Sequence, residues 1–138
     1  MATPATIEAK RYYRVAKQRL EDAAYLQRGG RQTAAVYLAG YAVECMLKSL
    51  VLESVPEKSH TEVLGSFRGS HGHSLEWLRV KYSGVSAATI PKTVSKSLTF
   101  VSRWSVDLRY EPGVLDPRIA RRFLAEVDAV CHWADGRL

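Results

Sequence analysis

The chain has 138 residues and a formal net charge of +6, with 46% hydrophobic and 25% charged residues. That length reads as one domain, 1–138, able to bury a substantial core, and the composition excludes a disordered tail, a fibre or a disulfide-rich scaffold. The richest apolar stretch, 34–52, is interrupted by Glu44 and Lys48, so no membrane span is expected. The opening residues lack the apolar core of an export signal, and a cytoplasmic location is expected. The basic balance favours acidic partners such as RNA or nucleotides.

In chain order, Thr6 caps a first helix that runs to Arg28, with Tyr13, Ala16, Leu20, Ala23 and Ala24 as its apolar stripe. Gly29 and Gly30 end it through a left-handed cap. A second helix, 32–53, is apolar nearly all round and is read as the central one. Its Gly40 points to a close approach, since glycine inside a helix costs about 1 kcal/mol against alanine. Residues 54–73 are a polar, Gly-rich connection, long enough to be either mobile or functional. A short helix follows, capped by Ser74 or His73, with Leu75 and Leu78 facing inward. Pro91 opens a fourth helix carrying Val94, Leu98 and Val101. Asp116 and Pro117 open the last, whose stripe is Ile119, Phe123, Val127, Val130 and Ala134. No segment alternates at period two. The expectation is an all-α, up-and-down bundle of about five helices.

Three groups of residues carry possible chemistry. The first is the stretch 103–113, "RWSVDLRYEPG", with Arg103, Arg109 and Tyr110. Its arginines suit phosphate and its tyrosine suits a base. The bland alternative is a clasp, in which one arginine neutralises Glu44 on the central helix. The expected arrangement combines them, with one arginine on Glu44 and the other left for a ligand or a dimer partner. The second group is His60, His71 and His73. They lack carboxylates at a recognised ligand spacing, so no metal or other cofactor is expected; His73 is assigned to capping and the others to solvent. Cys45 and Cys131 lie in apolar helical patterns and read as buried thiols. The third group, Lys10, Arg14 and Lys17 with Arg118, Arg121 and Arg122, makes one basic face for RNA if the first and last helices are neighbours; the bland and favoured alternative is a solvated face, since Glu8, Glu21, Asp22 and Glu126 are mixed in.

Three segments together resemble HEPN domains: "AAVYLAGYAVECMLKSL" at 34–50, "HSLEWL" at 73–78 and "RWSVDLRY" at 103–110. The resemblance covers the chain from about Ala9 to Trp133. It implies a helical bundle of a family often encoded beside a minimal nucleotidyltransferase. Many such domains are metal-independent ribonucleases, whose motif is an arginine followed after four to six residues by a histidine, with two copies meeting across a dimer. Arg103 matches the arginine, but the positions for histidine hold Leu108, Arg109 and Tyr110. With no imidazole there, the motif has no acid or base that titrates near neutral pH. The reading is therefore a non-catalytic, homodimeric binding module that docks a nucleotidyltransferase-type protein or binds RNA or a nucleotide through Arg103, Arg109 and Tyr110. The alternative is a ribonuclease with a relocated site, for which Arg103 and His73 are the candidate catalytic residues.

Overall fold

A helix that is apolar on every face has to be surrounded by others, and the segment 34–52 is. The structure, a computed structural model, describes residues 4–110 and 112–138, with the side chains of Val106 and Arg109 outside that description. Six α-helices follow in chain order: α1 (Ile7–Arg28), α2 (Gln32–Glu53), α3 (His60–Ser66), α4 (Leu75–Val85), α5 (Lys92–Val101) and α6 (Pro117–Arg137). The described residues form no strand, so the all-α bundle is as expected, with one helix more than anticipated. α2 is packed against α1, α6 and α4. It is long and apolar enough to cross a membrane, but 83% of that window is buried inside the protein.

Small side chains decide how closely α1 approaches α2. Ala9, Ala16 and Ala23, spaced seven apart, are fully or almost fully buried, which keeps one seam of α1 on its partner. Ser49 Oγ donates to the Ala9 carbonyl at 2.8 Å, fixing the antiparallel register. Gly30 makes the turn between the two helices possible. Its φ is +78°, while its N–H bonds Gln27 O and the Arg31 N–H bonds Leu26 O. Those two bonds satisfy the last carbonyls of α1 in a left-handed cap.

At the other end of the chain, Asp116 Oδ1 accepts from the Arg118 N–H at 2.8 Å and starts α6. Thr33 accepts from Leu115 N and donates to Gly113 O, while Met46 shares a cavity with Cys131. α2 and α6 therefore run parallel. Phe123, Val127, Val130 and Ala134 are buried as the stripe predicted, but Ile119 is 56% exposed. The reason is local: the first turn of α6 borders an open groove, and Ile119 lines it. Both thiols are buried and free, and burial pushes each up to about 12, which leaves them poor nucleophiles.

The connection 54–73 is folded rather than loose. It contains α3 and two short 3-10 turns, and it doubles back along α2. His60 meets the Leu52 carbonyl, Phe67 lies by Lys48, and His73 reaches Glu44. Gly72 permits the return, because a Cβ there would sit inside contact distance of the Phe67 backbone. Substituting Gly72→Ala is expected to destabilise the protein, since backbone rather than a flexible tip must yield; an unchanged thermal midpoint would refute the tight return.

α1 and α6 are pinned through Asp135. It is 4% exposed and accepts from Tyr13 OH at 2.7 Å and Lys17 Nζ at 2.9 Å. Burial alone would raise its pKa, but the bonds from Tyr13 and Lys17 outweigh it and hold the carboxyl below its ordinary 3.8. The same contact raises Lys17 above its ordinary 10.5. A lowered carboxylate stabilises above its unfolded pKa and loses that contribution as pH falls through the folded one. A raised lysine loses its contribution as pH rises past 10.5. Asp135→Asn is accordingly expected to flatten both the acid and alkaline limbs of a stability–pH curve, read by urea midpoints, with the largest loss near neutral pH and a shrinking one towards either extreme.

Candidate functional site

Where α5 ends at Val101, the chain turns through Trp104 into a 3-10 turn spanning 106–110. Trp104 anchors this segment. Its ring lies against Gly40 of α2, its Nε1–H donates to Tyr37 O at 3.1 Å, and Tyr41 meets it edge-on at 5.0 Å. The close approach implied by Gly40 is thus to an indole and not to another helix.

A groove of about 360 Å³ opens on one side of Trp104. Val36, Leu115, Phe123 and Phe100 give it an apolar floor, and Arg103 and Asp107 line it. The Arg103 guanidinium lies 5.2 Å from the Phe100 ring centroid, and that of Arg122, from α6, lies 4.2 Å away. Arg122 entered the sequence reading only as part of a basic helix face; nothing in spacing alone pairs it with Phe100. Tyr110 is 71% exposed. The Arg109 side chain, a predicted ligand contact, lies outside the described residues.

The clasp on Glu44 is real, but its partners differ from those expected. Glu44 Oε2 accepts from Lys48 Nζ at 2.8 Å, and Oε1 lies 3.0 Å from His73 Nδ1. No arginine is needed, because Lys48 sits one turn along on the same face. It is 5% exposed and lies over the rings of Tyr12 and Phe67 at 5.6 and 5.3 Å. His73 consequently does not cap α4. Ser74 does, accepting from Trp77 N at 3.2 Å.

A second cavity, also about 360 Å³, lies on the His73 side of Trp104. Trp104, Ser105 and Asp107 line both spaces, so Arg103 and His73 occupy neighbouring compartments with one shared wall. His60, expected in solvent, is 3% exposed: it fills the gap between α2 and α1, with Nε2 2.8 Å from Leu52 O. His71 packs on Trp77 at 4.5 Å. The three histidines thus go to three different places.

The two basic stretches do not merge. Lys17 is engaged by Asp135 at the far end of α6, while Arg118 pairs with Asp116 at its start. Seventeen residues of helix separate those ends, about 25 Å.

The HEPN domain model matches residues 9–137. The chain belongs to the HEPN family. A crystal structure of an archaeal HEPN homologue has the same fold at 19% identity, with a TM-score of 0.64 over 96% of this chain and 98% of that one. No curated protein matches the sequence. The HEPN assignment confirms the helical bundle that the resemblance implied; Glu44 and His73 lie in the stretches that carried it.

Proposed function

We propose that this HEPN chain is a non-catalytic, homodimeric binding module that takes a nucleotide or single-stranded RNA along the Arg103 groove. The observation that carries this is the pair of guanidinium groups over Phe100 beside an apolar floor. Planar guanidinium groups bind phosphate oxygens two at a time, and an aromatic and aliphatic floor suits a base. The described residues that line the groove include no imidazole to transfer protons. Ile119, exposed and lining the groove, and exposed Val114 are offered to a second copy. Docking of a nucleotidyltransferase-type partner is the further binding mode the family resemblance implies. Light scattering is expected to give twice the 15.4 kDa chain mass; a monomer at micromolar concentration counts against the dimer.

A second reading, a ribonuclease using His73, is favoured by the wall that His73 and Arg103 share. One experiment separates them: a labelled oligoadenylate is incubated in EDTA and followed by anisotropy and on a gel. Binding without cutting is expected, weakened about tenfold by Arg103→Ala and falling steeply with salt. EDTA-resistant cleavage lost in both Arg103→Ala and His73→Ala would establish the ribonuclease instead.

A further inference from the structure

The cavity beyond Trp104 differs in chemistry from the arginine groove. Ser70, Ser74, Ser102 and Ser105 line it, with His73 and Asp107. The orientation of His73 follows from its neighbours. The Lys48 ammonium on Glu44 Oε2 keeps that buried carboxylate an acceptor, so Nδ1 of His73 must donate to Oε1. With Nδ1 so engaged, Nε2 is the ring nitrogen left for a ligand, an acceptor in the tautomer that carries its only proton on Nδ1. His73 is 45% exposed in its side chain, so that acceptor is open to a ligand. Asp107 adds a second acceptor. Ser74 and Ser105 already accept from Trp77 N and Asp107 N, which leaves their hydroxyl protons to donate.

Acceptors interleaved with hydroxyl donors fit a group that both donates and accepts and carries no charge. A phosphate would face the Asp107 carboxylate here, and is better served by the guanidinium groups of Arg103 and Arg122. We infer that this cavity is a sugar-hydroxyl subsite, in which Asp107 and His73 recognise the ribose 2′-hydroxyl and so select ribo- over deoxyribonucleotides. The inference rests on the nucleotide reading of the neighbouring groove. The wall of Trp104, Ser105 and Asp107 is common to the two cavities, so a nucleotide with base and phosphate in the groove keeps its ribose at that wall and turns only the 2′-hydroxyl toward the histidine side. The 2′-hydroxyl is the group by which a protein tells RNA from DNA at such a site.

The test measures binding of four probes to the full chain: AMP, dAMP, and fluorescein-labelled hexamers of riboadenylate and deoxyriboadenylate. A ribo preference of about tenfold is expected in at least the hexamer pair; if AMP over dAMP shows it too, the subsite serves free nucleotides as well as RNA. The ribo-to-deoxy affinity ratio should fall to about one in His73→Phe and in Asp107→Ala, an exposed position whose place in both linings makes the ratio, and not the absolute affinity, the readout. His73→Phe also strips a partner from Glu44, so Asp107→Ala keeps the test informative if the other variant folds poorly. Equal, Arg103-dependent affinity for ribo and deoxy probes overturns the inference and leaves the groove reading intact. No binding of any probe overturns both.

Discussion

Replacing Glu44 with glutamine is expected to lower stability by about 3–5 kcal/mol, the cost of stranding one member of a buried ion pair. The amide keeps the shape and removes the charge. Lys48, 5% exposed, then holds an ammonium among rings and aliphatic side chains with no counter-ion on Glu44 to meet it. The faces of Tyr12 and Phe67 return part of this, about 0.5–2 kcal/mol, which does not cover the loss. For a chain of this length the thermal midpoint should fall by roughly 10–15 °C. The double substitution Glu44→Leu with Lys48→Met removes both charges and keeps the volume, so it is expected to recover much of the loss, as such replacements do elsewhere. Urea midpoints of the two single variants and the double variant give the coupling. If Glu44→Gln leaves the midpoint where it was, the carboxylate is not the neutraliser of Lys48 and the fold-back of 54–73 over α2 lacks its central tie.

How far the sequence could be read follows from the range of each interaction. Helix periodicity is local, and it located α2, the inward faces of α4 and α5, and the Asp116 start of α6. Glu44 and Lys48 lie four apart on one helix, so their pairing was legible, as was the need for a buried carboxylate to be neutralised. What supplied that neutralisation was assigned to an arginine, because the path of 54–73 is set by long-range packing. Phe67 on Lys48 and His73 on Glu44 join residues 19 and 29 positions apart, and no period encodes that. The polar, glycine-rich composition read as an open loop, whereas its few apolar residues, Val63 and Phe67, are buried and hold it down. Arg103 was found from its motif position, but its neighbour Arg122 arrives from α6 across Phe100. Gly40 signalled a close approach; only the tertiary fold named Trp104 as the group approaching.

Gly40→Ala should destabilise the protein, against the helix propensity scale. In an open helix the exchange is worth about 1 kcal/mol in alanine's favour. Here the new Cβ would fall on Cε2 and Nε1 of Trp104, far inside van der Waals contact, so the indole must leave its seat. Overpacking of this kind costs about 1–3 kcal/mol. Pulling Nε1 from Tyr37 O leaves a buried donor unmet, at about 1–3 kcal/mol, and the edge contact on Tyr41 is lost with it. The net expectation is a loss of about 2–4 kcal/mol. Because Trp104 divides the two cavities, the proposed RNA binding and any ribo preference should weaken together. The sign of the effect supplies the control. In a Trp104→Leu background, itself less stable because a large buried ring is lost, the shorter side chain vacates the space over position 40. Gly40→Ala should then become stabilising by about 1 kcal/mol. A Gly40→Ala variant more stable than the parent with Trp104 in place would mean that the indole does not rest on α2, and the shared wall between the arginine and histidine compartments would go with it.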